Sequence, residues 1–324
     1  MQDVVTRAEN VATDPPSLFA KGRVVERAVE GLIKLVALVS IASVLLILFF
    51  VGKEALPVVT SAVVHQEVTL GSLFAARDGA FTWQPVSDFP KYNIVPLIAG
   101  SAKVTLIALL FAVPMSVAAA VYVSEIAGKR ARELLKPAIE LLAGVPSVVV
   151  GFFALVVLST WVQTVFGTEH RLNALVAGLG LAFAICPVVF SVSEDALRAV
   201  PGSYRTAAIA LGSTRAQSTL RVVLPAAGPG IAAAIVLGFG RAIGETIIVV
   251  LASGNAALLD GSLDHSTRTI TATIAQELGE VVVGSAHYHV LFFLGAILFL
   301  ATFGVNFFGE RMVHRMRARI GGSR

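Results

Sequence analysis

No G-x-x-x-x-G-K-[ST] loop, no H-E-x-x-H, no G-x-S-x-G and no C-x-x-C occurs in this chain. A nucleotide-phosphate cradle, a helical zinc-protease pair, a nucleophile elbow and a dithiol centre are thereby excluded as motifs. Any uphill work must draw on an ion gradient or on another chain. Cysteine is nearly absent. Cys186 stands alone inside an apolar segment, which rules out an intrachain disulfide or cysteine metal cluster and leaves a small packed hydrophobe. Charge is scarce too: Asp, Glu, Lys and Arg make up 14% of 324 residues, against about a quarter in soluble domains. The opening "MQDVVTRAENVATDPPSLFA" is polar and lacks the apolar core of a signal peptide. It reads as a loose tail ahead of an uncleaved first anchor.

What is present is apolar, and it comes in blocks. Hydrophobic residues make up 56% of the chain and the mean hydropathy is +0.82. The blocks are Leu35–Val51, Val104–Ser124, Leu141–Thr168, Leu172–Ser193, Val222–Gly240 and Val290–Gly309. Each approaches or exceeds the roughly 18–20 residues that cross a bilayer as a helix. The fold class is therefore all-α, a polytopic membrane protein with six transmembrane helices. We divide it into a cytoplasmic tail at 1–28, a transmembrane domain at 29–310 and a basic cytoplasmic tail at 311–324.

Basic residues fix the expected orientation. One side holds Arg7, Lys21, Arg23 and Arg27, then Lys129, Arg130, Arg132 and Lys136. It also holds Arg198, Arg205, Arg215 and Arg221, and the C-terminal group from Arg311 to Arg324. The other side holds only Lys53, Arg77, Lys91, Arg171 and Arg268. By the positive-inside rule both termini are cytoplasmic. The basic loops lack base-reading or stacking companions, so no nucleic-acid partner is expected; membrane lipid is. The long external loop 52–95, with "FTWQPVSDFPKYNIVP", reads as a docking surface or a plug on the helix ends. Pro114, Pro146 and Pro187 interrupt spans two, three and four, as in a bundle that moves or lines a path. In the last external segment Glu277 and Glu280 are expected to face water or the pore mouth. His287 and His289 share an edge but lack a third ligand, so no metal site is predicted there.

The cytoplasmic loop 201–225 has a readable design. Ser203 is a plausible N-cap, Tyr204–Leu211 a short helix, and Gly212 the left-handed residue that ends it. Thr214-Arg215-Ala216-Gln217 fits a capping box that opens a second short helix, finished by Pro225. Capping alone suits a lipid-facing helix pair equally well. Spacing separates the two. Ala207-Ala208, three residues, Gly212, nine residues, then Val222-Val223-Leu224-Pro225 resembles the E-A-A-x3-G-x9-[hydrophobic]-x-L-P signature of ABC importer permeases. That resemblance makes Thr206, Ala207, Ala208, Gly212, Leu224 and Pro225 the elements that couple to an ATPase. Thr206 replaces the usual acidic residue.

"IAAAIVLGFGRAIGETIIVVLASG" places Arg241 and Glu245 inside an apolar run. Each buried charge costs about 2.5–3.5 kcal/mol on insertion scales. Spaced i,i+4 on a continuous helix, they would share a face. Two roles fit: a structural ion pair at a helix seam, or a guanidinium that meets an oxyanion and is restrained by its carboxylate neighbour. Gly240 and Gly244 would admit a close helix.

This stretch, "LKPAIELLAGVPSVVVGFFAL" and "TRTITATIAQELGEVVVGSAHYHVLFFLGAILFL" together resemble PstC-type permease subunits of phosphate ABC importers. The resemblance implies a bacterial cell-membrane protein that is not itself an enzyme and needs no cofactor. It implies a second permease subunit, two copies of a cytoplasmic ATPase and an extracytoplasmic phosphate-binding protein. It also implies that Arg241 matters for phosphate passage, and we place the substrate path at Arg241, Gly244, Glu245 and Thr246. A permease for sulfate or molybdate, and a stand-alone anion channel or secondary transporter, are the alternatives.

Overall fold

The computed structural model describes residues 18–76 and 80–321. The expected N-terminal tail, with Arg7, lies outside those residues apart from its last part, and Arg77 and Arg324 lie outside them too. The chain divides into two units, residues 1–51 and 52–324. The first is the bulk of one helix, Leu18–Ala55. It begins well before the first long apolar block.

Among the described residues six helices are long and apolar enough to cross a membrane: Glu26–Thr60, Val95–Ile126, Ser147–Phe166, Ala174–Arg198, Arg215–Gly244 and Ala286–Met316, here spans one to six. Length and composition set these limits: an apolar helix of about 20 residues satisfies its own backbone across the hydrocarbon core. Pro114 and Pro187 lie inside spans two and four as the sequence predicts. Pro146 does not lie inside span three. Its extended backbone (ψ 138°) ends one helix and starts another, so Lys129–Ala143 is a separate amphipathic helix with Leu141 exposed. Span three therefore starts at Ser147 rather than Leu141. Span six continues helically through the expected C-terminal tail as far as Gly321.

Three spans carry a π-turn, at Tyr122–Ile126, Ala154–Leu158 and Thr219–Val223. The third corrects the expected end of the second loop helix at Pro225. The helix from Arg215 runs straight into span five. The Leu224 amide already bonds back to Thr219, so the ladder is shifted by a residue when Pro225 arrives without an N–H.

Within the second unit, span four is the centre of packing. Its buried side chains Val176, Leu181, Ile185 and Val189 meet Val104, Ile107 and Ala112 of span two and Ala154, Leu158 and Val162 of span three. Gly178 makes the approach to span two possible, since a Cβ there would lie 2.4 Å from Ile107 Cγ2. A second cluster caps one end of this unit. Val58 at the end of span one, and Leu73, Trp83 and Tyr92 of the loop that follows it, pack onto Val290, Leu291 and Leu294 of span six. A two-stranded ribbon pairs Trp83 with Tyr92. The loop is thus a plug on the helix ends.

Glu277 lies under that plug. The sequence places it facing water or the pore mouth. Instead its carboxylate is mostly buried and accepts hydrogen bonds from Trp83 Nε1 (3.1 Å to each oxygen). It also pairs with Arg268 Nη2 at 2.9 Å and with His287 Nε2 at 2.9 Å. Burial, and then the Glu67 and Glu277 charges, push the neighbouring Tyr92 hydroxyl up to about 12. His289 Nδ1 lies 2.8 Å from the Glu54 carbonyl.

Candidate functional site

Span five ends at Gly244. Glu245 turns extended (φ −70°, ψ 133°) and a half-helix, Ile247–Ala252, restarts after Thr246. The run is apolar enough for one helix, but two glycines in its last turn lower its helix propensity, and the break finds partners. Thr271 Oγ1 donates to the Glu245 carbonyl at 2.9 Å, and Thr246 Oγ1 donates to the Gly244 carbonyl at 3.3 Å. The Glu245 carboxylate accepts from the Thr246 amide at 3.2 Å. Backbone groups freed within the membrane are tolerated where such neighbours satisfy them.

The break separates the two charges. The expected i,i+4 pair needs a continuous helix, and Glu245 has left it. Among the described residues Arg241 forms no ion pair and no hydrogen bond, and its side chain is exposed. Glu245 is half-buried and serves the break instead. Arg241 lies in line with exposed Leu237 and Gly244, about one turn away on either side. The paired glycines split likewise. A Cβ on Gly240 would lie 3.3 Å from Asn306 Oδ1 of span six, whereas one on Gly244 would meet nothing within 4 Å. Asn306, exposed in the middle of a span, was not singled out in the sequence; a polar side chain mid-span was the available signal.

The loop 201–225 is built close to expectation. Its first helix is Gly202–Ala210, preceded by Pro201 rather than capped by the Ser203 side chain. Gly212 is left-handed (φ +86°), and the Thr214–Gln217 capping box closes in both directions. Ala208 is buried; Thr206, Ala207 and Gly212 are exposed, Pro225 is exposed and Leu224 half-buried. Ile209, Tyr204 and Leu211 also point outward, Leu211 being 88% exposed. The knob thus presents an apolar tip. Thr206 supplies no charge to it, its hydroxyl donating to the Ser203 carbonyl at 3.1 Å.

Sequence reading did not reveal how this knob is fastened. Arg205 points inward. Its Nε donates to Glu125 Oε2 at 3.0 Å and its Nη2 to Glu125 Oε1 at 2.6 Å. The same guanidinium donates to the carbonyls of Val200 (2.7 Å) and Leu197 (3.0 Å). Glu125 sits in the π-turn at the end of span two, so one bidentate fork joins spans two and four to the loop. A second tie involves Glu194, near the end of span four. It is fully buried and held by Lys136 Nζ at 2.8 Å and by Arg198. Lys136 also reaches Glu140 at 3.7 Å. Lys103, near the start of span two, donates to the carbonyls of Asp260 and Ser262.

Comparison with known proteins agrees with this architecture. Residues 112–320 match the family model for the binding-protein-dependent transport system inner membrane component. The chain is 37% identical to the probable ABC transporter permease protein YqgH of Bacillus subtilis, over 69% of this chain and 72% of that protein. It is 33% identical to the phosphate transport system permease protein PstC of Mesorhizobium japonicum, over 74% of this chain and 78% of that one. Among solved structures, a bacterial ABC transporter that imports the acidic polysaccharide alginate superposes with a TM-score of 0.61. That alignment covers 91% of this chain and 99% of the other at 16% identity, and so shows a shared fold.

Proposed function

Because the chain belongs to the binding-protein-dependent transport system inner membrane components, and among them to the PstC-type permeases, we infer that it is a permease subunit of a phosphate ABC importer. Such a permease works with a partner permease, an ATPase and a substrate-binding protein. We propose that here these are a second, non-identical permease, two copies of a cytoplasmic ATPase and an extracytoplasmic phosphate-binding protein. Both termini then lie in the cytoplasm. ATP hydrolysis belongs to the partner.

One observation carries the proposed path: among the described residues Arg241 is an exposed cation without a partner, within an apolar span and on a face that the other spans of its unit leave open. Left against lipid it would cost about 2.5–3.5 kcal/mol. Placed on a water-filled seam with a second permease, it meets a dehydrated oxyanion instead. A guanidinium stays protonated and can donate two parallel hydrogen bonds to phosphate oxygens. Gly244 and Thr246 flank it where the helix breaks, and a backbone break is tolerated at membrane depth beside a cavity. Glu245 acts by shaping that break. At the other end, the apolar tip around Gly212 docks on the ATPase, and the Arg205–Glu125 fork passes its displacement to span two.

The test is phosphate uptake into vesicles holding the assembled importer, with ATP supplied on the ATPase side. Arg241→Gln should abolish uptake while the four-part complex still purifies. Uptake equal to wild type would remove Arg241 from the path. Excess sulfate or molybdate should leave phosphate uptake unchanged.

A further inference from the structure

Two loops meet at the membrane face opposite the coupling loop: residues 167–173, between spans three and four, and residues 253–269, which follow the half-helix. They are zipped together through the backbone. The Ala174 amide donates to the His265 carbonyl at 3.1 Å and the Leu175 amide to the Leu263 carbonyl at 3.0 Å. Ser266 Oγ donates to the Leu172 carbonyl at 3.0 Å. Asn173, fully buried, fixes the other side: its amide donates to the His170 carbonyl at 2.7 Å, and its oxygen accepts from the Val176 amide at 2.9 Å. Residues 170 and 265 are thus held in register before any ligand arrives.

Their side chains converge. Glu169, His170 and His265 each offer one ligand atom, all within 4.8 Å of one another. The imidazole rings stand 5.2 Å apart at 67°, and His265 Nε2 lies 3.7 Å from Glu169 Oε2. The far nitrogen of His265, Nδ1, is hydrogen-bonded to Asp260 Oδ2. Asp260 is itself positioned, its Oδ1 accepting from the Ser262 amide at 2.9 Å. Lys103 of span two holds the Asp260 and Ser262 carbonyls at 2.5 and 2.8 Å. A carboxylate on the outer nitrogen places the proton on Nδ1 and leaves the Nε2 lone pair facing the cluster. That is the support a metal-ligating histidine ordinarily has.

We propose that Glu169, His170 and His265 bind a zinc ion, with Asp260 orienting His265 and a water completing a tetrahedral shell. Two imidazoles and a carboxylate suit zinc, whereas calcium and magnesium take oxygen ligands. Ligand lengths of about 2.0–2.2 Å put neighbouring ligand atoms roughly 3.4 Å apart. Closing from the observed spread takes about an ångström, within the torsional reach of Glu169, whose side chain is 74% exposed. The ion staples the loop between spans three and four to the loop that leads from the half-helix toward span six.

Zinc is titrated into the full-length chain, carried in its assembled complex in detergent and free of any histidine tag, by calorimetry and by competition with a chromogenic chelator. One equivalent per copy of this chain should bind, and millimolar magnesium or calcium should not displace it. His170→Ala and His265→Ala should each weaken that equivalent at least about tenfold. Asp260→Asn should weaken it by about 10–100-fold, as outer-shell substitutions do. Glu169→Gln, at a surface position with no part in the core, should weaken it without changing zinc-free thermal unfolding. Wild-type affinity in His170→Ala and Glu169→Gln, or no zinc equivalent on this chain, would overturn the assignment.

Discussion

Arg241→Lys keeps the charge of the exposed guanidinium but not its fork. If Arg241 lines the path as proposed, phosphate held by two charge-assisted hydrogen bonds, each worth about 1.5–3 kcal/mol, then loses one of them and its planar geometry. Uptake is expected to fall at least tenfold below wild type while staying above Arg241→Gln, measured as initial rates in the same vesicles. Glu245→Ala acts elsewhere. It removes the acceptor of the Thr246 amide at the helix break, so uptake should fall although Arg241 is untouched. At this scale the sequence was informative about residue type and poor on partners. A charge inside an apolar run announced Arg241 as special. It could not announce that Glu245 leaves the helix, because the break rests on Thr271, 26 positions away. Glu125 with Arg205, and Glu277 with Trp83, are likewise separated by 80 and 194 positions, a distance no local pattern reports.

Among the elements, the knob of residues 201–225 and the crossing of spans two and four invite the clearest perturbations. Glu125→Ala strips the bidentate partner from Arg205 where Glu125 is 8% exposed. Removing one member of such a buried pair costs about 3–5 kcal/mol. The knob should loosen, and ATP hydrolysis should continue with little phosphate uptake, read by measuring both in one preparation. Gly178→Leu should overpack the crossing, because a Cβ already collides with Ile107. A loss of about 1–3 kcal/mol should appear as a lowered unfolding temperature and a poorer yield of the detergent-purified complex. Local chemistry explains what the sequence did disclose here. Gly212 and the Thr214–Gln217 box satisfy their own backbone within a few residues, so they read directly. Pro146 and Pro225 misled because proline alone does not say whether a helix stops, restarts or merely shifts its ladder.

For the molecule as a whole, the uncovered face carrying Arg241 and the apolar tip at Leu211 both call for other chains. The subunit reconstituted alone is expected to move no phosphate, and adding the ATPase without the second permease should not restore transport, by the same vesicle assay. Six spans were legible from composition, since lipid imposes length and apolarity on every crossing segment. The plug of residues 52–95 was half legible: aromatics and prolines marked it, and only its packing on span six chose between surface and lid. The π-turns left no trace in the hydrophobic pattern. Each is one extra residue looped into an otherwise regular helix, with the flanking turns still in phase. Shortening span five by a residue inside Thr219–Val223 should therefore be absorbed as the loop flattens, leaving the stripe above it aimed as before. The same deletion near Ala233 has no slack to use up and would swing everything beyond it through about 100°, turning the guanidinium off its seam.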